Sequence, residues 1–214
     1  MTVLLLGATG RTGIHIAARL HMAGRAFRAL VRDPRKQRVF ADMGAQAMSG
    51  DLTQDFSSAL DGIETVIYAA GSAESEGEAF ERAIDRDAAI RAIDLAIEHK
   101  VRLFVLISAI SAEDVALAPK ALRHYAQMKR EADDHLLGRK IQHLILRPGV
   151  LNDERGHGKI ALAAAPTDRT PVAREDVALL AVRALDLGVH NRVITFVGGE
   201  VPIDAVLGLP AERG

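Results

Sequence analysis

The sequence contains no cysteine, which excludes disulfide bonds, thiolate catalysis and zinc sites built on cysteine. Aromatic residues make up only 4% of the chain and its formal net charge is −1, whereas nucleic-acid binders usually need a basic face and stacking rings. The eight histidines show no metal-binding spacing, so no metal site is predicted. No apolar run approaches the roughly 18 residues of a membrane span. We therefore expect a cytoplasmic protein whose partners are small molecules or proteins, with no nucleic-acid or membrane partner.

Hydrophobic residues make up 49% of the 214 residues, enough for a single domain over residues 1–214 with a full core. Short apolar runs alternate with stretches of helical periodicity. This alternation predicts an α/β fold, a Rossmann-type doubly wound parallel sheet with helices on both faces. The pattern weakens after Gly149 and predicts a small C-terminal cap there.

A glycine-rich turn lies between the first predicted strand, residues 3–6, and a predicted helix. Its first glycine permits a tight turn, its second lets the backbone approach a pyrophosphate, and its third lets the helix pack close to the strand. The spacing is Gly-x-x-Gly-x-x-Gly instead of the commoner Gly-x-Gly-x-x-Gly. Unpaired N–H groups at the helix N-terminus would hold the pyrophosphate. The turn predicts a dinucleotide cofactor bound by Gly7, Ala8, Thr9, Gly10, Arg11, Thr12 and Gly13.

The end of the second predicted strand, residues 27–31, indicates which dinucleotide is bound. The residue that reads the adenosine ribose should lie roughly 20 positions beyond the glycine turn, and Arg32 lies 19 positions after Gly13. An acidic side chain there would bind a free 2′-hydroxyl, whereas arginine suits a 2′-phosphate. Arg32, assisted by Arg11 and Arg35, therefore predicts NADP as the cofactor, with NADPH preferred to NADH.

The other predicted strands also end on residues suited to a cofactor. In doubly wound sheets, ligands bind beyond the carboxyl ends of the strands, at the point where the strand order reverses. Small residues at such an end leave room for the cofactor, and an adenine could rest beside a carboxylate. The predicted contacts at these ends are Asp51, Leu52, Ala69, Ala70, Gly71, Ser108 and Pro148.

Residues 118–138 predict a helix with Pro119 in its first turn and Gly138 as its C-cap. Tyr125 and Lys129 lie one turn apart on its apolar stripe, where a lysine needs a partner. An ammonium beside a phenol favours the phenolate and lowers the pKa of the tyrosine, which suits a general acid near neutral pH. Lys129 could also bind the nicotinamide ribose. The alternative is a lysine that snorkels past a packed tyrosine.

Taken together, these motifs resemble the atypical short-chain dehydrogenase/reductases. Within that group the chain is similar to the NAD(P)H-binding subgroup, which includes NmrA-like proteins, biliverdin reductase B-like flavin reductases and bacterial proteins labelled as sugar epimerases. The residues that carry the resemblance are Gly7-x-x-Gly10-x-x-Gly13, Asp51-Leu52, Ala69-Ala70-Gly71, Ser108, Tyr125-x-x-x-Lys129, Arg147-Pro148-Gly149 and Arg174-Glu175-Asp176-Val177-Ala178, with the aspartates around Asp87.

The resemblance implies a catalytic set of Ser108, Tyr125 and Lys129. Tyr125 would donate a proton to a substrate carbonyl, Lys129 would hold the ribose and tune Tyr125, and Ser108 would hydrogen-bond the reacting oxygen. Ser111 could be the working hydroxyl instead. The function implied is an NADPH-dependent reductase of a small carbonyl, quinone or flavin-like substrate. The alternative is a non-catalytic NADPH-binding redox sensor of NmrA-like type.

Three weaker expectations concern the rest of the chain. Asp85 or Asp87 could face the substrate pocket, although acidic residues on a helix are more often solvated. Residues 152–158 are charged and contain glycine, which predicts a mobile loop. The short region after Gly149 lacks the substrate domain of nucleotide-sugar epimerases, so epimerase activity is the least favoured of the three functions.

Overall fold

The computed structural model describes residues 2–72 and 76–209. Its strands are β1 (Val3–Leu6), β2 (Phe27–Val31), β3 (Gln46–Ser49), β4 (Thr65–Tyr68), β5 (Leu103–Ile107), β6 (Gln142–Pro148), β7 (Leu151–Asn152), β8 (Lys159–Leu162), β9 (Val172–Ala173), β10 (Arg192–Gly198) and β11 (Val201–Pro202). Its α-helices are α1 (Arg11–Met22), α2 (Gln37–Asp42), α3 (Glu78–Glu81), α4 (Ala89–Glu98), α5 (Arg123–Leu137), α6 (Arg174–Asp186) and α7 (Ile203–Leu207). A π-helical segment, Arg82–Ala88, joins α3 to α4. None of the helices in this described part is both long and apolar enough to cross a bilayer.

The main sheet contains nine strands in the order β11-β8-β10-β6-β5-β4-β1-β2-β3. Neighbouring strands from β10 to β3 are parallel, whereas β8 runs antiparallel to both β10 and β11. The central order 3-2-1-4-5-6 is that of doubly wound dinucleotide-binding folds. The predicted Rossmann-type sheet is therefore confirmed. The strand order reverses between β1 and β4, and doubly wound folds bind their ligands beyond the carboxyl ends of the strands at this point.

Strand β1 shows why the sheet is covered on both faces. Its four residues are fully buried, and alternate side chains point to opposite faces of a strand. Val3 and Leu5 pack into the core that α1 and α6 share. Leu4 and Leu6 pack into the other core, with α4 and α5. A strand buried on both faces requires the continuous apolar run that the sequence shows.

The C-terminal residues, predicted as a small cap, join the main sheet and its core. Strand β10 pairs with β6, and β8 and β11 extend the sheet beyond it. Helix α6 packs against α1, and its buried side chains, among them Val177, Leu180 and Ala181, belong to the same core as α1. Because α6 and β10 cover apolar surface that the first six strands leave, this region completes the core of the fold.

Helix α5 begins later than predicted. It starts at Arg123, and a separate 3₁₀ turn covers Lys120–Leu122. Pro119 has an extended ψ of 141°, so it is not part of a helix, and it separates this turn from an earlier 3₁₀ turn at Val115–Leu117. The end is as predicted, because Gly138 follows Leu137 as the C-cap.

Candidate cofactor and active site

The glycine turn is packed backbone against backbone. Gly7 has φ +80°, a conformation that favours glycine. A Cβ on Gly7 would overlap the backbone of Ala70 after β4, and a Cβ on Gly13 would overlap the carbonyl oxygen of Gly7. The N–H of Gly10 donates to the Gly7 carbonyl oxygen at 3.0 Å. The turn therefore lies directly against the end of the neighbouring strand, at the point where the strand order reverses.

The N-terminus of α1 fits the pyrophosphate of a dinucleotide. Its N-cap is Gly10, which offers no side chain to the first-turn N–H groups. These groups lack partners within the helix, and Thr9 and Gly10 are exposed. Unpaired donors and the positive end of the helix dipole together attract a phosphate group. The residues predicted to bind the pyrophosphate, from Gly7 to Gly13, all lie in or beside this turn.

Arg32 and Asp51 mark the other end of the predicted cofactor site. Arg32 follows β2, is exposed, and makes no hydrogen bond within residues 2–72 and 76–209. Asp51 accepts hydrogen bonds from the N–H and hydroxyl of Thr53, both at 2.8 Å. These bonds, together with the charge of Arg32, hold the pKa of Asp51 below its ordinary value. Leu52 follows in the same loop and is partly buried.

Arg11 and Arg35, predicted to assist Arg32, are each paired with a carboxylate. The Arg35 guanidinium binds the carboxylate of Asp33 at 2.9 Å. Arg11 pairs with Asp153, which follows β7, and Asp153 also binds Arg174 of α6 at 2.7 Å. The strands β6 and β10 of this region lie on the opposite side of β1 from β2. Arg11 is therefore directed away from the end of β2.

Lys129 is buried beside the carboxylate of Asp85. Its side chain is only 4% exposed, and its Nζ lies 2.9 Å from Asp85 Oδ1 and 3.3 Å from the Ile107 carbonyl oxygen. Asp85 Oδ2 accepts hydrogen bonds from the N–H and hydroxyl of Ser72, at 3.1 Å and 2.5 Å. Burial opposes the charge of Lys129, but Asp85 and Tyr125 outweigh burial and raise the pKa of Lys129 above its ordinary value. Lys129 is a fixed cation and not a snorkelling lysine.

The predicted lowering of the Tyr125 pKa is wrong. Lys129 Nζ lies 5.7 Å from the centre of the Tyr125 ring, and its charge does act to lower the pKa of the phenol. Tyr125 is partly exposed, but the protein packed around its phenol acts more strongly in the opposite direction, and the carboxylates of Asp85 and Glu81 add to it, so the pKa of Tyr125 is raised. The sequence shows the lysine one turn away, but not the burial or the carboxylates from other elements. Tyr125 therefore carries its proton at neutral pH.

A second buried ion pair lies below Ser108. Asp133 is fully buried, and its Oδ2 accepts a hydrogen bond from Arg147 Nε at 2.8 Å. Burial raises the pKa of Asp133, and Arg147 acts in the opposite direction. Ser108 Oγ and Asp133 Oδ1 are both buried, and within the described residues neither makes a hydrogen bond of good geometry. The Ser108 hydroxyl is nevertheless close enough to the carboxylate to act, with Arg147, to lower the pKa of Asp133. Ser111 is also buried, in the 3₁₀ turn Ile110–Ala112.

Asp133 was not predicted from the sequence, and the position of Asp85 was left open. Asp133 lies four residues after Lys129, so its position on the inward side of α5 could have been found from helical spacing. Asp85 lies within the π-helical segment, whose extra residue per turn changes the direction of the side chains. The hydroxyl of Tyr68 donates to the Ile84 carbonyl oxygen at 2.5 Å and holds this segment against β4. Asp85 is buried as a result, whereas the Asp87 side chain is 48% exposed.

Residues 152–158, predicted as a mobile loop, are anchored to the first turn of α6. Gly156 N–H donates to Glu175 Oε2 at 3.1 Å, and Gly158 N–H donates to Asp176 Oδ1 at 2.8 Å. A Cβ on Gly156 would lie 2.7 Å from Asp176 Oδ1. The acidic residues after Arg174 thus hold the loop by its backbone, which the charged and glycine-containing composition did not indicate.

Small residues lie at the carboxyl ends of β4 and β6, at the same edge of the sheet as the glycine turn. Gly71 lies between the glycine turn and the buried ion pair, because a Cβ there would be 3.2 Å from Asp85 Oδ1 and 3.6 Å from Lys129 Nζ. Ala69 precedes Ala70 at the same strand end, and Pro148 is the last residue of β6. The structure therefore brings the glycine turn, Gly71 and Lys129 to one edge of the sheet. Arg32 and Asp51 lie at the ends of strands farther along that edge.

Residues 7–187 match a family described as NAD(P)H-binding. The chain belongs to this family. It is 30% identical, over 97% of its length and 99% of the relative, to a Bacillus subtilis protein named uncharacterized sugar epimerase YhfK. A Bacillus halodurans structure named as an NAD-dependent epimerase/dehydratase is 29% identical, with a TM-score of 0.92 over 97% of this chain and 98% of the other. ChuY, an anaerobilin reductase of Escherichia coli, shares the fold at 21% identity, with a TM-score of 0.78 over 94% and 98% of the two chains. The resemblance stated from the sequence is confirmed.

Proposed function

We propose that this NAD(P)H-binding protein is an NADPH-dependent reductase of a small carbonyl, quinone or flavin-like substrate. The observation that carries the proposal is the position of Tyr125 and Lys129. A protonated phenol and a buried ammonium lie at the same sheet edge as the glycine turn. A protein that only binds NADPH needs the turn and Arg32, but it needs no proton donor beside them.

The cofactor contacts follow from the donors that the chain leaves available. The N–H groups at the start of α1 would hold the pyrophosphate, and Arg32 would bind the 2′-phosphate. An ammonium has three N–H donors, and Lys129 directs two of them to Asp85 and the Ile107 carbonyl. Its third donor is available for a ribose hydroxyl. The reduced nicotinamide, when bound, supplies a hydride.

Tyr125 and Ser108 would act on the substrate. Because the pKa of Tyr125 is raised, the phenol keeps its proton at neutral pH and can donate it to the reduced oxygen or nitrogen. Lys129 stabilises the phenolate that remains. Ser108 Oγ is buried beside the Asp133 carboxylate, which it helps to hold ionised, and would turn from that carboxylate to donate to the reacting oxygen. We favour Ser108 over Ser111 because Ser108 directly follows β5, beside Asp133.

The first test is a calorimetric titration of the purified protein with NADPH and NADH. We expect NADPH to bind at least about tenfold more tightly, because a guanidinium that binds a phosphate contributes more than 1.4 kcal/mol. Arg32→Ala should remove this preference, whereas Arg38→Ala, an exposed arginine on α2, should not. Equal affinities in the unmutated protein would disprove the NADPH preference.

The second test is NADPH oxidation with a panel of aldehydes, quinones and flavins. Tyr125→Phe should reduce turnover by about 100-fold or more and leave NADPH affinity unchanged. Tight NADPH binding without turnover, together with a protein that co-purifies only in one cofactor state, would instead support the redox sensor. Epimerisation of nucleotide sugars is disfavoured, because in residues 150–209 the chain extends the sheet and forms α6 and α7 instead of a separate substrate domain.

A further inference from the structure

Two arginines lie side by side at the sheet edge, outside the catalytic set. Helix α1 begins at Arg11 and α6 begins at Arg174. The two helices pack against each other on one face of the sheet. Helix α1 follows the carboxyl end of β1, and α6 precedes β10, which is parallel to β6. Both N-termini therefore lie at the carboxyl edge of the sheet, where the positive ends of their dipoles add to the two charges.

One carboxylate lies between these two guanidinium groups. Asp153 Oδ1 accepts a hydrogen bond from Arg174 Nη1 at 2.7 Å, and its other oxygen pairs with Arg11 Nη2. Two guanidinium groups therefore share a single carboxylate. Burial lowers the pKa of Arg174, and the charge of Arg11 adds to this effect, as expected where like charges are incompletely neutralised.

The two arginines have donors left for a ligand. A guanidinium carries five N–H donors, and within the described residues each of these two hydrogen-bonds only Asp153. The side chains of Arg11 and Arg174 are 68% and 11% exposed, so solvent reaches both. Glu175 and Asp176 do not compete for them, since they accept hydrogen bonds from the N–H groups of Gly156 and Gly158. These bonds also hold the loop without any contribution from Asp153.

We propose that Arg11 and Arg174 bind an anionic group of the substrate, a carboxylate or a phosphate, and that Asp153 occupies this site until the ligand displaces it. The inference rests on the proposed reductase function, because it concerns the substrate of that site. Arg11 is directed toward the region that follows β6, away from Arg32 and the adenosine end. A planar guanidinium pair favours ligands with several acceptor oxygens in one group. The site thus selects substrates that carry such a group beside the reducible centre.

The test uses two flavins that differ only in a phosphate, FMN and riboflavin. Each is titrated into protein saturated with NADP⁺, which cannot reduce it, and binding is followed by flavin fluorescence. We expect FMN to bind about tenfold more tightly than riboflavin. Arg174→Gln and Arg11→Gln, each made as a single variant, should bring the ratio of FMN affinity to riboflavin affinity close to one. Asp153→Asn should strengthen FMN binding severalfold, because the internal competitor loses its charge. Arg38→Gln, with the same charge change on α2, should leave the ratio as in the unmutated protein.

Three results would overturn the inference. The first is equal binding of both flavins to the unmutated protein, and the second is binding of neither. The third is an Arg174→Gln variant that keeps the flavin ratio but binds NADP⁺ more weakly, since the anion at this site would then be a phosphate of the cofactor. Circular dichroism melts verify that each variant is folded. NADPH oxidation by the unmutated protein decides the reductase proposal separately.

Discussion

Lys129 and Asp85 lie far apart in the chain, yet they form an ion pair that is almost fully buried. Two opposite charges are tolerated in a core only when they are paired and their remaining donors and acceptors are satisfied. Here Lys129 also donates to the Ile107 carbonyl, and Ser72 donates twice to Asp85 Oδ2. Asp85 Oδ1 has only the Lys129 charge at 2.9 Å, and one Lys129 donor is left for a ligand. The pair therefore fixes Lys129 beside Tyr125 and also ties the residues after β4 to the helix that carries Tyr125.

Asp85→Asn should destabilise the protein by about 3–5 kcal/mol, because it leaves the Lys129 ammonium buried without its counter-charge. The free energy of unfolding in urea measures this loss. The matched control is Asp87→Asn, two residues away, whose side chain is half exposed. Its effect should stay within about 0.5 kcal/mol. Equal small effects of both variants would show that the ion pair does not form in solution.

The raised pKa values of the two phenols can be measured by phenolate absorbance, because the chain contains two tyrosines and no tryptophan. The pKa is raised for Tyr125 and raised further for Tyr68, mainly by burial. At pH 10, where a free tyrosine is about half ionised, the folded protein should show less phenolate absorbance at 295 nm than the same protein unfolded in urea. Tyr68→Phe isolates the signal of Tyr125.

The sign of the effect on stability follows from linkage. The folded state holds these two protons more tightly than the unfolded state, so their contribution is fully present below about pH 10. It is lost as the pH rises through the raised values, and ionisation should accompany unfolding. A phenolate signal from the folded Tyr68→Phe variant between pH 7 and 9 would instead agree with the lowered pKa that the sequence predicted.

At the scale of elements, the glycine turn is the least tolerant part of the site. A Cβ on Gly13 would overlap the Gly7 carbonyl oxygen, whereas a Cβ on Gly10 would lie 3.2 Å from the same atom. Gly13→Ala should therefore destabilise the protein by about 1–3 kcal/mol or more and weaken NADPH binding severely. Gly10 is an exposed position in the same turn. The free energy of unfolding of Gly10→Ala, measured in urea, should lie within about 1 kcal/mol of that of the unmutated protein. Similar unfolding free energies for the two variants would contradict the close packing of α1 on β1.

The prediction of individual elements succeeded where one local signal was sufficient. Continuous apolar runs gave β1, β2 and β5 within the correct part of the chain, and Gly138 gave the end of α5. The π-helical segment could not be predicted, because it is held by a hydrogen bond from Tyr68, which lies on a neighbouring strand. The anchored loop was missed for a related reason. Its partners, Glu175 and Asp176, lie 18 or 19 residues later in the chain than the glycines they bind, and they meet the loop only after α6 has packed.

At the scale of the whole molecule, the chain should fold as one cooperative unit. Strand β10 pairs with β6, and α6 shares a core with α1. A chain truncated after Gly149 would expose the apolar side of α1 and of β6, and we expect it to be unfolded or insoluble. Circular dichroism in urea should show one transition for the full chain. A truncated chain that is soluble and melts cooperatively would show that residues 150–214 form a separate unit.

The sequence by itself determined the parallel sheet, the dinucleotide turn and the two residues of the Tyr-x-x-x-Lys motif. Each depends on neighbours within a few positions, on apolar runs, glycine spacing or a single helical turn. Only the tertiary structure decided that Asp85 pairs with Lys129, that Arg11 turns toward Asp153 and Arg174, and that Tyr125 keeps its proton. These features depend on burial and on charges from distant elements. Electrostatic energies in a core depend on which groups meet there and on how far water is excluded. Neither can be inferred from the spacing of residues in the sequence.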